Sequence, residues 1–359
     1  MNFQRLEMRS LLCLSLAPAA MLACGMTVAA DAQGRGTFVL TSTNNAQGNA
    51  VAVFKLHGGD MPSLSLAYTL PTGGKGGASG NAGIVQFKED RGAVANFGSN
   101  TVSKLVRHGD RFGVGETIQL APDCTGPDSV ALSRDHLFVV GTNCAESHSW
   151  PEGNLDGNAV SLTDNSAAQI AVGRTWAAVT MKSGSVLQLP LTHEDGALNG
   201  TSNTVTLPDD ANNTPLGEAF WGDLLGFDPA HSVDSLALVN ASAEVFPILG
   251  PQPAYPSNAP CWLAKGPLSI WYAGNSPGQA VSIFFSDAEG GSFYKSVPVP
   301  GVPTDITVSR DEKWLAVIYA AADGAHLAVF AIDDRGDLGQ MATSPAIGAA
   351  SFSGVAFSE

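Results

Sequence analysis

The feature that most constrains this chain is a repeat. The stretch "CTGPDSVALSRDHLFVVGTNC" (124–144) has a small or polar lead-in, a short apolar run, a polar turn and a second apolar run. The same order recurs in "AGIVQFKEDRGAVANFG", "QIAVGRTWAAVTM", "PCWLAKGPLSIWYAG" and "PTDITVSRDEKWLAVIYA", more loosely in "PLGEAFWGDLLGFD", and in a shortened copy, "FSGVAFSE". Anchored at Gly83, Asp128, Gln169, Ala219, Cys261, Asp305 and Gly354, the copies are spaced by 45, 41, 50, 42, 44 and 49 residues. A period in the forties, built from short apolar strands, is the signature of a β-propeller with four strands per blade. Seven anchors predict an all-β, seven-bladed propeller. Forty glycines and only 14% charged residues suit many short strands joined by tight turns.

The two ends complement each other. "SGVAFSE" offers only an innermost strand, whereas "GTFVLTSTNNAQGNAVAVFKL" begins with what would be a second and a third strand. One blade is therefore predicted to be closed by both termini, with Gly354–Ser358 pairing beside Thr37–Thr43. Such closure removes the open sheet edge.

Arg5 and Arg9 precede the apolar run "LLCLSLAPAAMLACGMTVAA", which ends in small residues suited to cleavage. Residues 1–30 are expected to be a signal peptide and 31–359 the propeller, exported to a periplasmic or extracellular space, without a membrane span and as a monomer. Cys124, Cys144 and Cys261 then remain. The hairpin 124–144 turns about Arg134, so its two cysteines should face one another at disulfide distance. Cys261 is left unpaired. Neither a metal nor a cofactor is expected: the hairpin has only His148 near it as a further zinc ligand. A net charge of −15 with 18 basic residues argues against nucleic acid as a partner.

The segments "GSNTVSKL" (98–105), "GPDSVALS" (126–133), "APCWLA" (259–264) and "PTDITVSRD" (303–311) resemble the lactonase-like seven-bladed propellers, the family of phosphogluconolactonase and carboxymuconate cyclase, and within it an exported subgroup. The resemblance spans nearly the whole chain after residue 30. It implies a site over the central channel built from His, Arg and Glu in the cyclase-type members. His148 and Glu218 match the His and the Glu. No arginine matches, and the longer His- and Arg-containing motifs of the catalytic members are missing.

Strand alternation assigns charges to faces. Loops that join blades, and loops between second and third strands, share an upper face, where propeller ligands usually sit. The hairpins between first and second and between third and fourth strands share the lower face. The arginines after residue 30 fall below. Asp123, Asp128, Glu146, Glu152, Asp156, Asp209, Asp210, Glu218, Asp305 and Asp323 are assigned above, against Lys75, Lys182 and His148. The segment 143–158 is read as the longest upper excursion. An electronegative upper funnel follows, one that disfavours anions. The loop "TGGKGGASGNAG" (72–83) lacks the Lys-Ser/Thr pair and glycine spacing of a phosphate-binding loop and is read as a blade connector.

Two functions emerge. The first is a binding module for a small neutral or cationic ligand, or for a protein, using Asp128, Glu146, Trp150, Glu152, Lys182 and Asp305. The second is a hydrolase or isomerase of a neutral lactone or sugar-derived ester, with His148 and Glu218 as acid and base. Whether the chain is an enzyme is left open.

Overall fold

In the computed structural model, residues 35–359 are described, apart from 60, 79, 212, 252–257 and 288–289. The expected signal peptide lies outside the described residues. The described strands form seven antiparallel sheets of four strands each. In chain order they span 37–71 together with 353–358 (blade 1), 85–119, 127–161, 167–205, 218–249, 260–298 and 302–343 (blades 2 to 7). Each of the seven anchors lies within, or two residues ahead of, an innermost strand.

The strand sequences show why they take their places. A second strand is covered on both faces by neighbouring blades, so its sequence is a continuous small or apolar run. "HLFVVG" (His136–Gly141) and "WAAVTM" (Trp176–Met181) are buried at every position. A fourth strand lies at the rim with one face in water, and "GGSFYKSVP" (Gly290–Pro298) alternates accordingly. Between blades the core is interdigitated. Phe54 of blade 1 packs in one cluster with Ile318, Leu327 and Val329 of blade 7 and with Phe357. Gly217 shows how closely blades approach: a Cβ there would lie 2.5 Å from the backbone nitrogen of Leu263. Its own amide donates to the Cys261 carbonyl across the blade boundary at 2.9 Å.

The ring closes as expected. Phe38 pairs with Ser358, Val39 with Phe357, Leu40 with Ala356 and Thr41 with Val355. Arg107 of blade 2 locks this closure from below. Its guanidinium donates to Ser358 Oγ at 3.0 Å and to the carbonyls of Gly36 and Gly109 at 2.6 and 2.7 Å. It also lies 5.2 Å from the Phe38 ring centre. Cys124 and Cys144 form the disulfide, with Cα atoms 5.4 Å apart. Cys144 opens the third strand of blade 3, one step beyond the hairpin itself. Cys261 is a free, half-buried thiol.

One placement is overturned. Residues 143–158 are not an upper loop. Cys144–Ser149 is the third strand of blade 3 and Leu155–Ser161 the fourth, so the turn between them, with Trp150 and Glu152, lies on the lower face. The segment's polarity resembles that of a loop, but its residues alternate within a strand: Cys144, Glu146 and His148 share one side.

Candidate functional site: the central channel

The segment 72–83 is more than a connector. It leaves blade 1 on the upper face, and its last residues, Gly80–Gly83, cross to four other blades before blade 2 begins. Asn81 Nδ2 donates to Asp128 Oδ1 of blade 3. Asn81 Oδ1 accepts from Lys182 Nζ of blade 4 at 2.5 Å. The Gly83 amide donates to Asp305 Oδ2 of blade 7 at 3.2 Å, and the Val130 amide of blade 3 to the Gly83 carbonyl at 2.9 Å. Ala82 is buried in a cluster with Trp262 of blade 6 and Ile306 of blade 7. Gly83 makes the crossing with φ of +66°, and a Cβ there would stand 2.8 Å from Ser129 Oγ. Glycine is the residue that permits both.

Beneath this strap lies a chamber of about 260 Å³ on the channel axis. It is walled by the innermost strands, from Gly83, Gln169, Glu218 and Asp305 at its upper end to Leu132, Val172, Lys265 and Val308 below. Glu218 is held by a reciprocal bond across two blades: its amide donates to Gln169 Oε1 at 2.8 Å, and Gln169 Nε2 donates to its carbonyl at 2.9 Å. Its carboxyl group is buried, and neither oxygen has a partner in hydrogen-bonding geometry. Burial pushes the Glu218 carboxyl well above the usual range, and the amides of Ala171 and Thr180 pull only weakly the other way. Asp305 is also buried and is raised to about 7 for the same reason, opposed by the amides of Ile306, Gly83 and Val355. Both carboxyl groups are thus held with raised proton affinity in residues of the chamber wall.

Lys265 forms part of the lower rim. Burial lowers its ammonium to about 8, partly offset by Glu312. Its Nζ donates to the carbonyls of Gly266 and Leu268 at 2.6 and 2.7 Å and sits 4.9 Å from the Trp221 ring centre.

The candidate residues separate into groups. Asp128 and Lys182 come together on the upper face, joined through Asn81. Burial raises Asp128 to about 7, opposed by Lys182 and Asn81. Asp305 and Glu218 meet the chamber. Glu146 and His148 are buried in blade 3 and bound to each other, His148 Nε2 to Glu146 Oε1 at 2.8 Å. The Ala121 amide also donates to Glu146, and His148 Nδ1 faces the Gly153 carbonyl. The pairing of His148 with Glu218 is thereby overturned. They stand on different blades, with the whole of blade 4 between them. Trp150 lines a lower-face cleft with Lys88, Arg91 and Arg134. The Glu152 carbonyl accepts from Lys104. The electronegative upper funnel loses three of its assigned carboxylates with these placements, because Glu146, Glu152 and Asp156 do not face it.

Asn81 and Lys265 were not singled out in the sequence, nor was Asp228. The Asp228 carboxylate lies buried at the upper end of blade 5 without a partner for either oxygen. It adds to the burial that pushes the Cys261 thiol up to about 11. Among the described residues, Cys124, Cys144 and Glu146 bring three metal-ligand atoms within 4.8 Å of one another, but both sulfurs are committed to the disulfide. Among the described residues no helix is long and apolar enough to cross a membrane.

The seven four-stranded blades and their two-ended closure define a seven-bladed β-propeller. Solved structures with this architecture include a protein from Lactobacillus plantarum, with a TM-score of 0.68 and 14% identity over 91% of this chain and 100% of that one. The periplasmic gluconolactonase of Pseudomonas aeruginosa matches with a TM-score of 0.63 and 15% identity over 90% and 99% of the two chains. A putative 6-phosphogluconolactonase from Bacteroides uniformis gives 0.63 and 14% over the same shares. No family model matches the chain, and no curated protein matches it in sequence.

Proposed function

We propose that this chain is a lactonase-like propeller that binds a small neutral or cationic ligand in the chamber beneath the strap. The observation that carries this reading is Glu218, a residue of the chamber wall whose carboxyl group is buried just behind that wall with no hydrogen-bond partner for either oxygen. Leaving a buried polar group unpaired costs about 1–3 kcal/mol, more if it is charged. A ligand hydroxyl or ammonium that meets it recovers that cost. The periplasmic gluconolactonase among the structural neighbours, together with the disulfide, supports an exported protein and polyols or lactones as the first ligands to try.

Thermal-shift titration of residues 31–359 with neutral sugar lactones, polyols and small amines tests this, alongside anionic sugars as controls. At least one neutral or cationic compound is expected to raise Tm, and Glu218→Gln or Glu218→Ala is expected to remove that rise. A panel without effect, or an equal rise in the Glu218 variants, overturns the reading. Hydrolysis keeps one specific point in its favour: Glu218 and Asp305 both line the chamber with raised proton affinity. Turnover of a neutral lactone, lost in both Glu218→Gln and Asp305→Asn, would replace binding by catalysis.

A further inference from the structure

Gly80–Gly83 divides the channel into two spaces that share no lining residue. The groove above touches Gly80, Trp262, Thr304 and Ser353. The chamber below touches Gly83, Leu263, Asp305 and Val355. On blades 6, 7 and 1, and on the strap itself, the boundary falls between residues only one to three apart. Downward there is no such division. The chamber shares Gln86, Thr307 and Val308 with a lower-face cleft that also includes Lys88, Arg310 and Glu359. Leu132, Val172, Lys265 and Val308 are each the last residue of an innermost strand, so the chamber reaches the lower rim.

We propose that the chamber is filled and emptied through the lower, arginine-bearing face, past Lys265 at its lower rim. Two of the three Lys265 N–H groups are engaged by backbone carbonyls, and the third is available to an acceptor on the ligand. The ligand thus carries a hydroxyl or ammonium at its inner end, toward Glu218, and a carbonyl or hydroxyl at its outer end. The ligand's chemistry rests on the binding reading above; the route does not.

The route is tested without any ligand. Ala219, a half-buried chamber residue, is replaced by cysteine in a Cys261→Ser background, and its modification by a small cationic methanethiosulfonate is timed. Val308→Trp at the lower rim is expected to slow labelling by about tenfold or more, since it blocks the mouth of a concave site. Ala350→Trp, at an exposed position in the upper groove, is expected to leave the rate within about twofold. Ala131→Cys, also in the chamber wall, serves as reporter if Ala219→Cys does not fold. A rate slowed by Ala350→Trp but not by Val308→Trp, slowed equally by both, unaffected by either, or a reporter that never labels, overturns the proposal. A chamber that labels from below yet shifts with no compound leaves the route standing and removes the binding reading alone.

Discussion

Lys182 Nζ donates to Asn81 Oδ1 at 2.5 Å, so a blade-4 lysine holds a strap that arrives from blade 1. Asp128 accepts from the same amide group, which makes Asn81 the one side chain of the strap bound to two blades. Asn81→Ala is expected to leave both Asp128 and Lys182 without this partner and to lower stability by about 1–3 kcal/mol. It should also open the channel from above. In the labelling assay, Ala350→Trp should then slow Ala219→Cys modification, which it does not do when the strap is intact.

Glu218→Gln should alter the pH dependence of stability. Burial raises the carboxyl group well above its ordinary value, so between the unfolded and folded pKa values the native state holds a proton that the unfolded chain releases. Its contribution is complete below the unfolded value of about 4.3 and is lost as pH rises toward the folded one. Gln cannot ionise. The difference in Tm, variant minus parent, should therefore grow as pH rises from about 5 to about 8. A constant difference would show that Glu218 is solvated in the native protein. Asp128 and Asp305, raised to about 7, give the parent a further decline in stability between about 4 and 7 with the same sign.

The buried Glu146–His148 pair predicts a stability defect rather than a functional one. His148→Ala leaves Glu146 inside blade 3 with only the Ala121 amide. Leaving such a buried group short of its partner costs about 1–3 kcal/mol, measured by urea unfolding. Chamber labelling and any ligand-induced shift should survive at temperatures where the variant is folded. Loss of ligand response in a folded His148→Ala protein would return this histidine to the site.

Cys124→Ser, or reduction, should destabilise the protein by about 3 kcal/mol, as expected for a loop of this length. Peptide mapping without reduction should recover Cys124 and Cys144 as one linked species, with Cys261 alkylated. A linked peptide containing Cys261 would contradict the pairing.

Blade architecture was legible because it is written in periodicity: seven anchors, continuous apolar second strands such as Trp176–Met181, and two ends that each lack what the other supplies. The disulfide followed from a symmetric hairpin. The site was less legible, for a physical reason. "CAESHS" has the polarity of a loop, yet Glu146 and His148 hydrogen-bond one another inside a strand, and polarity alone does not distinguish a satisfied buried pair from a solvated turn. The strap was missed because its work is done mostly by main chain and by one asparagine. "GASGNAG" carries no charge or aromatic group to signal that Asn81, Ala82 and Gly83 between them reach four blades. Asp128, Lys182, Asp305 and Glu218 were singled out for their charge. Which of them meet a cavity depended on where that short segment crosses.

The pairing of Phe38 with Ser358 has a mechanical consequence. Both residues lie at the lower end of adjacent antiparallel strands, so a force that separates them acts across the ladder and breaks its hydrogen bonds one at a time, from Phe38 toward Ser42. Opening in this geometry is a zipper rather than a shear, and the load falls on one bond after another instead of on all together. That seam is guarded by Arg107, whose guanidinium bridges Gly36 and Ser358 at the point where such a tear would begin.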